Sequence, residues 1–72
     1  MKRILICGAG GTPATNFVRS LRMMDEKFFL VGVDCDKYTL HRAETDKKLL
    51  IPKVSDPLYL DIINSIIEEY QL

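Results

Sequence analysis

Two short apolar runs, RILIC at residues 3–7 and FFLVGVD at residues 28–34, constrain the fold of this chain more than any other feature. Neither shows the polar alternation of a strand with one face in water, so both are predicted to be buried on both faces, as in parallel sheets. Between them, residues 13–24 predict an amphipathic helix, because apolar side chains recur there at helical spacing. Its apolar stripe comprises Ala14, Phe17, Val18, Leu21 and Met24. Strand, helix and strand at this separation predict a βαβ unit with a right-handed crossover.

The second half of the chain repeats the alternation. A short helical stretch is expected at residues 38–43, a third strand (KLLI) at residues 48–51, and a long helix from Pro57 almost to Leu72. Thr12 and Asp56 are the predicted helix caps, each followed by a proline suited to the first turn. We therefore expect an α/β fold with three layers, Rossmann-like, with a small parallel sheet in strand order 3-2-1.

The last helix bears on domain organisation. In a doubly wound sheet, a helix after the third strand leads into a fourth strand beside the first. We accordingly expect residues 1–72 to be a single, incomplete N-terminal domain of a longer protein.

Charge and hydropathy exclude several classes of function. Ten basic and ten acidic residues give no net charge, so the basic surface of a nucleic-acid-binding protein is absent. The apolar run after Lys2 and Arg3 ends at Gly8, too soon for a signal peptide or a membrane span. We expect a cytoplasmic protein without a membrane or nucleic-acid partner.

Cysteine and histidine give little indication of a site. Cys7 and Cys35 lack the spacing of a redox or zinc motif and are expected to be small buried apolar residues. His41, the one histidine, lies on a polar stretch that we expect to be exposed, and no catalytic partner can be tied to it, so no catalytic or metal-binding residue is assigned. We expect Tyr59 and Tyr70 to be packing residues.

The arginines of the first helix, Arg19 and Arg22, lie off its apolar stripe. We interpret them as a solvated face, with contact to a partner domain as the alternative.

The segment GAGGTPA between the first strand and helix is the principal candidate site. Glycines there let a ligand approach the backbone, and free N–H groups at a helix start favour an anion. The dinucleotide pattern G-x-G-x-x-G is matched at Gly8 and Gly10 but has Pro13 in place of the third glycine. The spacing G-x-x-G-x-x-G gives Gly8, Gly11 and Ala14, and a Walker A loop is excluded. An anion-facing or substrate-facing loop, a purely structural turn and a dinucleotide site all stay open.

The candidate substrate-binding or anion-binding residues are Gly8, Gly10, Gly11 and Thr12. Asp34 is a weaker addition, because it ends the second strand where dinucleotide folds place an acid that binds ribose. The alternative is that Asp34 and Asp36 cap the turn that follows.

The order of ILICGAGGTPATNFVRSLR, FFLVGVDCD, AETDKKLLIP and SDPLYLDIINSI resembles the N-terminal domain of ATP-grasp ligases. The similarity is greatest to stand-alone relatives of the carbamoyl-phosphate synthase large chain. It covers nearly the whole chain and rests on the G-x-G-G loop, Arg-x-Leu in the helix, Val-Asp after the second strand and Ile-Pro after the third. One departure is that Ala43 and Asp46 are separated here, whereas the family has an adjacent Ala-Asp pair.

The resemblance implies a domain that forms a substrate-facing wall and carries no catalytic residue. ATP and magnesium would be held by an ATP-grasp domain downstream, which joins a carboxylate to an amine through an acyl-phosphate. The family positions that can be carried over are the loop Gly8, Gly10, Gly11 and Thr12, with Asp34. The alternatives are an NAD(P)-binding fragment of an epimerase or short-chain dehydrogenase type enzyme, and a small interaction module without a ligand.

Overall fold

A computed structural model describes all residues, Met1–Leu72, and shows a small α/β fold built on one parallel sheet. The elements in chain order are β1 (Lys2–Cys7), α1 (Thr12–Arg22), β2 (Phe28–Asp34), α2 (Lys37–Leu40), β3 (Lys47–Leu50) and α3 (Tyr59–Tyr70). The strands are ordered β1-β2-β3 and all run parallel. The fold class and the strand order are therefore confirmed. None of the three helices has the length and apolar character needed to cross a bilayer.

The central strand β2 alone has the burial on both faces that was predicted for the first two strands. Every residue of β2 except the partly buried Phe29 is buried, because strands pair with both its edges and an apolar cluster covers each of its faces. In β1 only Ile6 is buried, so the prediction for that strand is wrong. The reason is its position: β1 pairs with β2 on one side and has no strand on the other.

Two apolar clusters lie on opposite faces of the sheet. One is made by β1 and β2 with α1, α2 and the loops near them, and its members are Ile6, Ala9, Val18, Leu21, Phe28, Leu30, Leu40 and Ala43. The other is centred on Val31, Val33, Ile51 and Ile66, beneath α3. Tyr59 and Tyr70 pack against this second cluster, which confirms their predicted packing role.

The first helix differs from its prediction at both ends. Thr12 is its first helical residue and not its cap; Gly11 holds the cap position, without a side-chain hydrogen bond. The helix ends at Arg22, and Met24 and Phe17 are half exposed, at 53% and 51%. Phe17 lies about 100° around the helix axis from its buried neighbour Val18, at the margin of the apolar stripe.

The later helices are also displaced. The α2 helix is a single turn, capped by the Asp36 carboxylate, which accepts hydrogen bonds from the N–H groups of Tyr38 and Thr39. The α3 helix begins at Tyr59, two residues after Pro57. Asp56 instead closes a turn ahead of the helix, where its carboxylate accepts from the Leu58 N–H at 2.8 Å.

Ion pairs join α1 to the segment before β3. Arg19 contacts Glu44 through two hydrogen bonds of 3.0 and 2.7 Å. Arg22 contacts Asp46 at 3.2 Å, and both of these side chains are more than one-third exposed. The two arginines therefore make specific contacts within the fold, which the interpretation as a solvated face did not include.

Candidate functional site

The glycine-rich loop is a tight turn between β1 and α1. Gly8 lies in the left-handed region with φ +61°, and the Gly11 N–H donates to the Gly8 carbonyl at 2.9 Å. A side chain on Gly8 would meet no atom within 4 Å, so this glycine is needed for its backbone conformation and not for space.

The N–H groups of this loop are largely used within the protein. The Ala9 N–H donates to the Val33 carbonyl at 3.1 Å, and the Gly10 N–H points to Asp34 Oδ2 at 3.4 Å. The Gly11 N–H closes the turn already described, and Pro13 has no N–H to offer. A phosphate placed at the loop would therefore find three of its expected donors already engaged.

Gly10 has a structural role that its place in the motif does not reveal. A Cβ atom at this position would lie 1.7 Å from the Thr39 carbonyl oxygen, so only glycine lets α2 pack directly on the loop. A glycine can leave space for a ligand to approach the backbone, but at Gly10 the backbone of Thr39 occupies that space.

Asp34 and Asp36 are the two acidic residues at the carboxyl end of β2 and just after it. Asp34 is only 9% exposed, and its Oδ1 accepts from the Asp36 N–H at 3.2 Å. Asp36 is exposed, and the N–H groups of Tyr38 and Thr39 lower the pKa of its carboxyl below the usual aspartate value. The prediction that these residues cap the following turn is confirmed for Asp36 and is compatible with the contacts of Asp34.

A pocket of about 150 Å³ opens at the carboxyl-terminal edge of the sheet. It is lined by Cys7, Gly8, Asp34, Cys35, Ile51, Pro52, Val54 and Tyr59. Open α/β sheets bind their ligands at this edge, because the loops after parallel strands converge there. We take this pocket, called the carboxyl-edge pocket below, as the candidate site.

The structure brings together some of the predicted site residues and not others. Gly8 and Asp34 both line the carboxyl-edge pocket, and the Gly10 N–H donates to the Asp34 carboxylate. Gly11 and Thr12 lie at the start of α1 and do not line it. Ligand binding by all five of these residues stays a prediction.

Both cysteines are exposed, so the expectation that they are buried is wrong. Cys7 is the last residue of β1 and Cys35 directly follows β2, which places both in the wall of the carboxyl-edge pocket. The sequence already placed both cysteines at the carboxyl ends of predicted strands, and this edge of a parallel sheet is where ligands bind. Tyr59 was noted only as a packing residue, and its place in the pocket depends on how α3 crosses the sheet.

His41 does not line the carboxyl-edge pocket. His41 is exposed. Its backbone carbonyl accepts a hydrogen bond from Lys48 Nζ at 2.9 Å. No group of three histidine, cysteine, aspartate or glutamate side chains is placed to hold a metal ion.

A larger hollow, of about 380 Å³, lies at the opposite edge of the sheet, where β2 begins. Its polar lining consists of the turn Asp25–Lys27 and the ion pair of Arg22 with Asp46. Arg22 and Asp46 contact each other, and the glycine-rich loop lies at the other end of the strands. The carboxyl-edge pocket is therefore the better candidate for a ligand site.

Comparison with known proteins adds no relative. No protein-family model, no curated protein and no solved structure matches this chain.

Proposed function

We propose that this chain is the substrate-side N-terminal domain of an ATP-grasp ligase that joins a carboxylate to an amine. In this proposal it performs no catalysis alone, acts in the cytoplasm, and works with a downstream ATP-grasp domain that holds ATP and magnesium. The sequence resemblance motivates the family. The carboxyl-edge pocket supplies a surface for binding a small substrate.

One observation carries the proposal beyond the resemblance: the N–H groups of the glycine loop are engaged within the protein. Ala9, Gly10 and Gly11 all donate internally, and Pro13 has no donor. Dinucleotide sites place a pyrophosphate against such N–H groups at the start of the helix. Their engagement favours a substrate wall over a nucleotide site, which is the division of labour that the ATP-grasp resemblance implies.

The alternative, an NAD(P)-binding fragment of an epimerase or short-chain dehydrogenase type enzyme, is favoured by one observation. Asp34 ends β2 and lines a pocket together with Gly8. In dinucleotide folds an acid at the end of this strand binds the ribose hydroxyls.

Amide chemical shifts of the isolated chain separate these two functions. Titration with NAD, NADP and magnesium-ATP is expected to leave residues 8–12 and Asp34 without saturable shifts. Saturation by NAD or NADP would replace the proposal with the alternative, and tight magnesium-ATP binding or ATP hydrolysis would contradict the division of labour.

The whole protein that carries this domain gives the positive test. ADP release should require both a carboxylate and an amine substrate. Asp34→Ala should raise the KM of one small substrate and leave the KM of ATP unchanged, because ATP would lie in the other domain. An equal increase in both KM values would contradict the assignment.

A further inference from the structure

Cys7 and Cys35 are the two thiols of the chain, and both line the carboxyl-edge pocket. Both are exposed and free of any disulfide. Thiolate sulfur is a soft ligand that selects soft metal ions. Two such groups at one pocket form a set of ligands that the proposed function leaves unused.

The alternation of side chains along β1 and β2 places both thiols on the face of the sheet that α3 covers. Leu5 packs against the apolar cluster beneath α3, and Cys7 lies two residues further along β1, on the same face. In β2 the same cluster contains Val33, and Cys35 follows it by two residues at the end of the strand. The two thiols therefore belong to one face and one edge of the sheet.

The rest of the pocket wall suits a cation on this face. Ile51 and Tyr59 line the pocket and also pack in the cluster beneath α3, so the apolar wall and the thiols lie on the same side. No lysine or arginine is among the lining residues, and nothing there repels a positive charge. Asp34 directs its carboxylate to the N–H groups of Gly10 and Asp36. The sulfurs are thus the ligands that a metal ion would meet in the pocket.

The strand register sets the separation of the two cysteines. Cys7 is the β1 partner of Val33, and Cys35 lies two residues beyond that partner. With strands about 4.8 Å apart and a rise of about 3.3 Å per residue, the two cysteine Cα atoms are about 8 Å apart. A disulfide joins Cα atoms that are at most about 7 Å apart, so this pair does not form one without movement of the backbone.

A metal ion between the sulfurs spans this separation. Two metal–thiolate bonds of about 2.3 Å, the length found in zinc sites, hold two sulfurs up to about 4.6 Å apart, against about 2 Å in a disulfide. Zinc sites use at least three protein ligands, and no group of three is present here. Monovalent copper prefers thiolate and is stable with only two such ligands in a nearly linear arrangement.

We propose that Cys7 and Cys35 bind one Cu(I) ion as a two-coordinate bis-thiolate in the carboxyl-edge pocket. Each thiol releases its proton to the solvent when its sulfur binds the ion. The site goes beyond the proposed function, because it depends on the two sulfurs and the pocket and not on membership of the ATP-grasp ligases.

Competition for Cu(I) under anaerobic conditions tests the proposal. The reduced chain is titrated into the coloured complex of Cu(I) with ferrozine, and the loss of colour measures the copper that is transferred. One equivalent per chain is expected. Both thiols of the loaded chain should then be protected from a thiol-specific chromogenic disulfide, whereas one equivalent of Zn(II) in place of Cu(I) should protect neither.

Three variants locate the ligands. Cys7→Ser and Cys35→Ser should each lose the transfer of copper from ferrozine, because one thiolate alone does not complete the site. Met24→Leu is the matched control: it removes a half-exposed soft sulfur at the opposite edge of the sheet and should take up copper as the parent chain does. Circular dichroism checks that each variant is folded, and the stoichiometry and thiol protection of the parent chain stand even if a serine variant is not.

The possible results separate this inference from the proposed function. Uptake at the parent level by either folded serine variant, or protection of only one thiol, would overturn the copper site. A loaded chain that sediments as a dimer with one copper per two chains would also overturn it, because the ion would then join separate molecules. A loaded monomer with one copper and two protected thiols would support it. Binding of NAD or magnesium-ATP bears on the proposed function and leaves the copper site standing.

Discussion

Asp46 joins three parts of the fold, and its replacement gives the sharpest test of how this small domain is stabilised. One of its carboxylate oxygens, Oδ2, accepts the Leu30 N–H at 2.7 Å and also contacts the Arg22 guanidinium at 3.2 Å. The side chain thereby links the segment before β3 to the central strand β2 and to the end of α1. We expect Asp46→Ala to destabilise the domain and Asp46→Asn to do so less.

The magnitude follows from the two contacts. Leu30 is fully buried, and a buried N–H that loses its acceptor costs about 1–3 kcal/mol. The ion pair with Arg22 is more than one-third exposed on both sides and adds at most about 1 kcal/mol. Asp46→Ala should therefore lower the free energy of unfolding by about 2 kcal/mol, whereas asparagine can still accept from Leu30 and should lose about 1 kcal/mol.

Urea unfolding followed by circular dichroism measures both losses. For a domain of this size, 2 kcal/mol corresponds to a decrease in Tm of about 8–16 °C. Asp25→Asn is the matched control, because Asp25 is an exposed aspartate that takes part in no ion pair. Its free energy of unfolding should stay within about 0.5 kcal/mol of the parent chain.

The pH dependence supplies an independent check on Asp46. Burial raises the pKa of its carboxyl, but the hydrogen bonds from the Leu30 N–H and Arg22 outweigh it, so the pKa is lowered in the folded protein. A lowered folded-state pKa contributes stability above the unfolded value of about 3.9, and that contribution is lost as the pH falls through the folded value. The gap between the parent chain and Asp46→Asn should thus be full at pH 7 and close in acid. An Asp46→Ala variant as stable as Asp25→Asn, or a gap independent of pH, would refute the reasoning.

Three other predictions concern the loop and the thiols. Gly10→Ala should destabilise the domain by more than about 2 kcal/mol in urea unfolding, because its Cβ would overlap the Thr39 carbonyl. Gly8→Ala should cost less, about 1–2 kcal/mol, since only the left-handed backbone conformation is strained; a larger loss at Gly8 than at Gly10 would contradict this. Cys7 and Cys35 should both react with a thiol-specific chromogenic disulfide in the folded protein, each signal disappearing in the matching Cys→Ser variant; slow, unfolding-limited reaction would show that they are buried.

The local pattern of apolar and polar residues was sufficient to predict strand β2 but not the start of α3. The bounds of β2 were predicted without error, because its apolar run ends at charged or polar residues on both sides. The start of α3 was predicted at Pro57 but lies at Tyr59, because Asp56 followed by Pro57 suits a helix cap and a separate turn equally well. The Asp56 contact with the Leu58 N–H shows that the turn is formed.

Burial and long-range contact were beyond the sequence pattern. The run in β1 is as apolar as that in β2, and only the number of neighbouring strands distinguishes an edge strand from a central one. The contact of Gly10 with Thr39 joins residues 29 positions apart, and no spacing rule relates them. Asp34 was selected from its place at a strand end, but its contacts with the Gly10 and Asp36 N–H groups depend on the tertiary structure.

A glycine-rich loop between a strand and a helix is compatible with opposite electrostatic functions. Free loop N–H groups make an anion site, whereas loop N–H groups turned onto the protein leave the nearby side chains to decide what binds. Here Gly10 points its N–H at a carboxylate, and Pro13 removes a further donor in the first turn of α1, where no intrahelical bond would have used it. The proline that departs from the dinucleotide pattern is thus in keeping with a loop whose Ala9, Gly10 and Gly11 N–H groups already donate within the protein. What binds at this edge of the sheet would then be decided by the side chains that line the carboxyl-edge pocket.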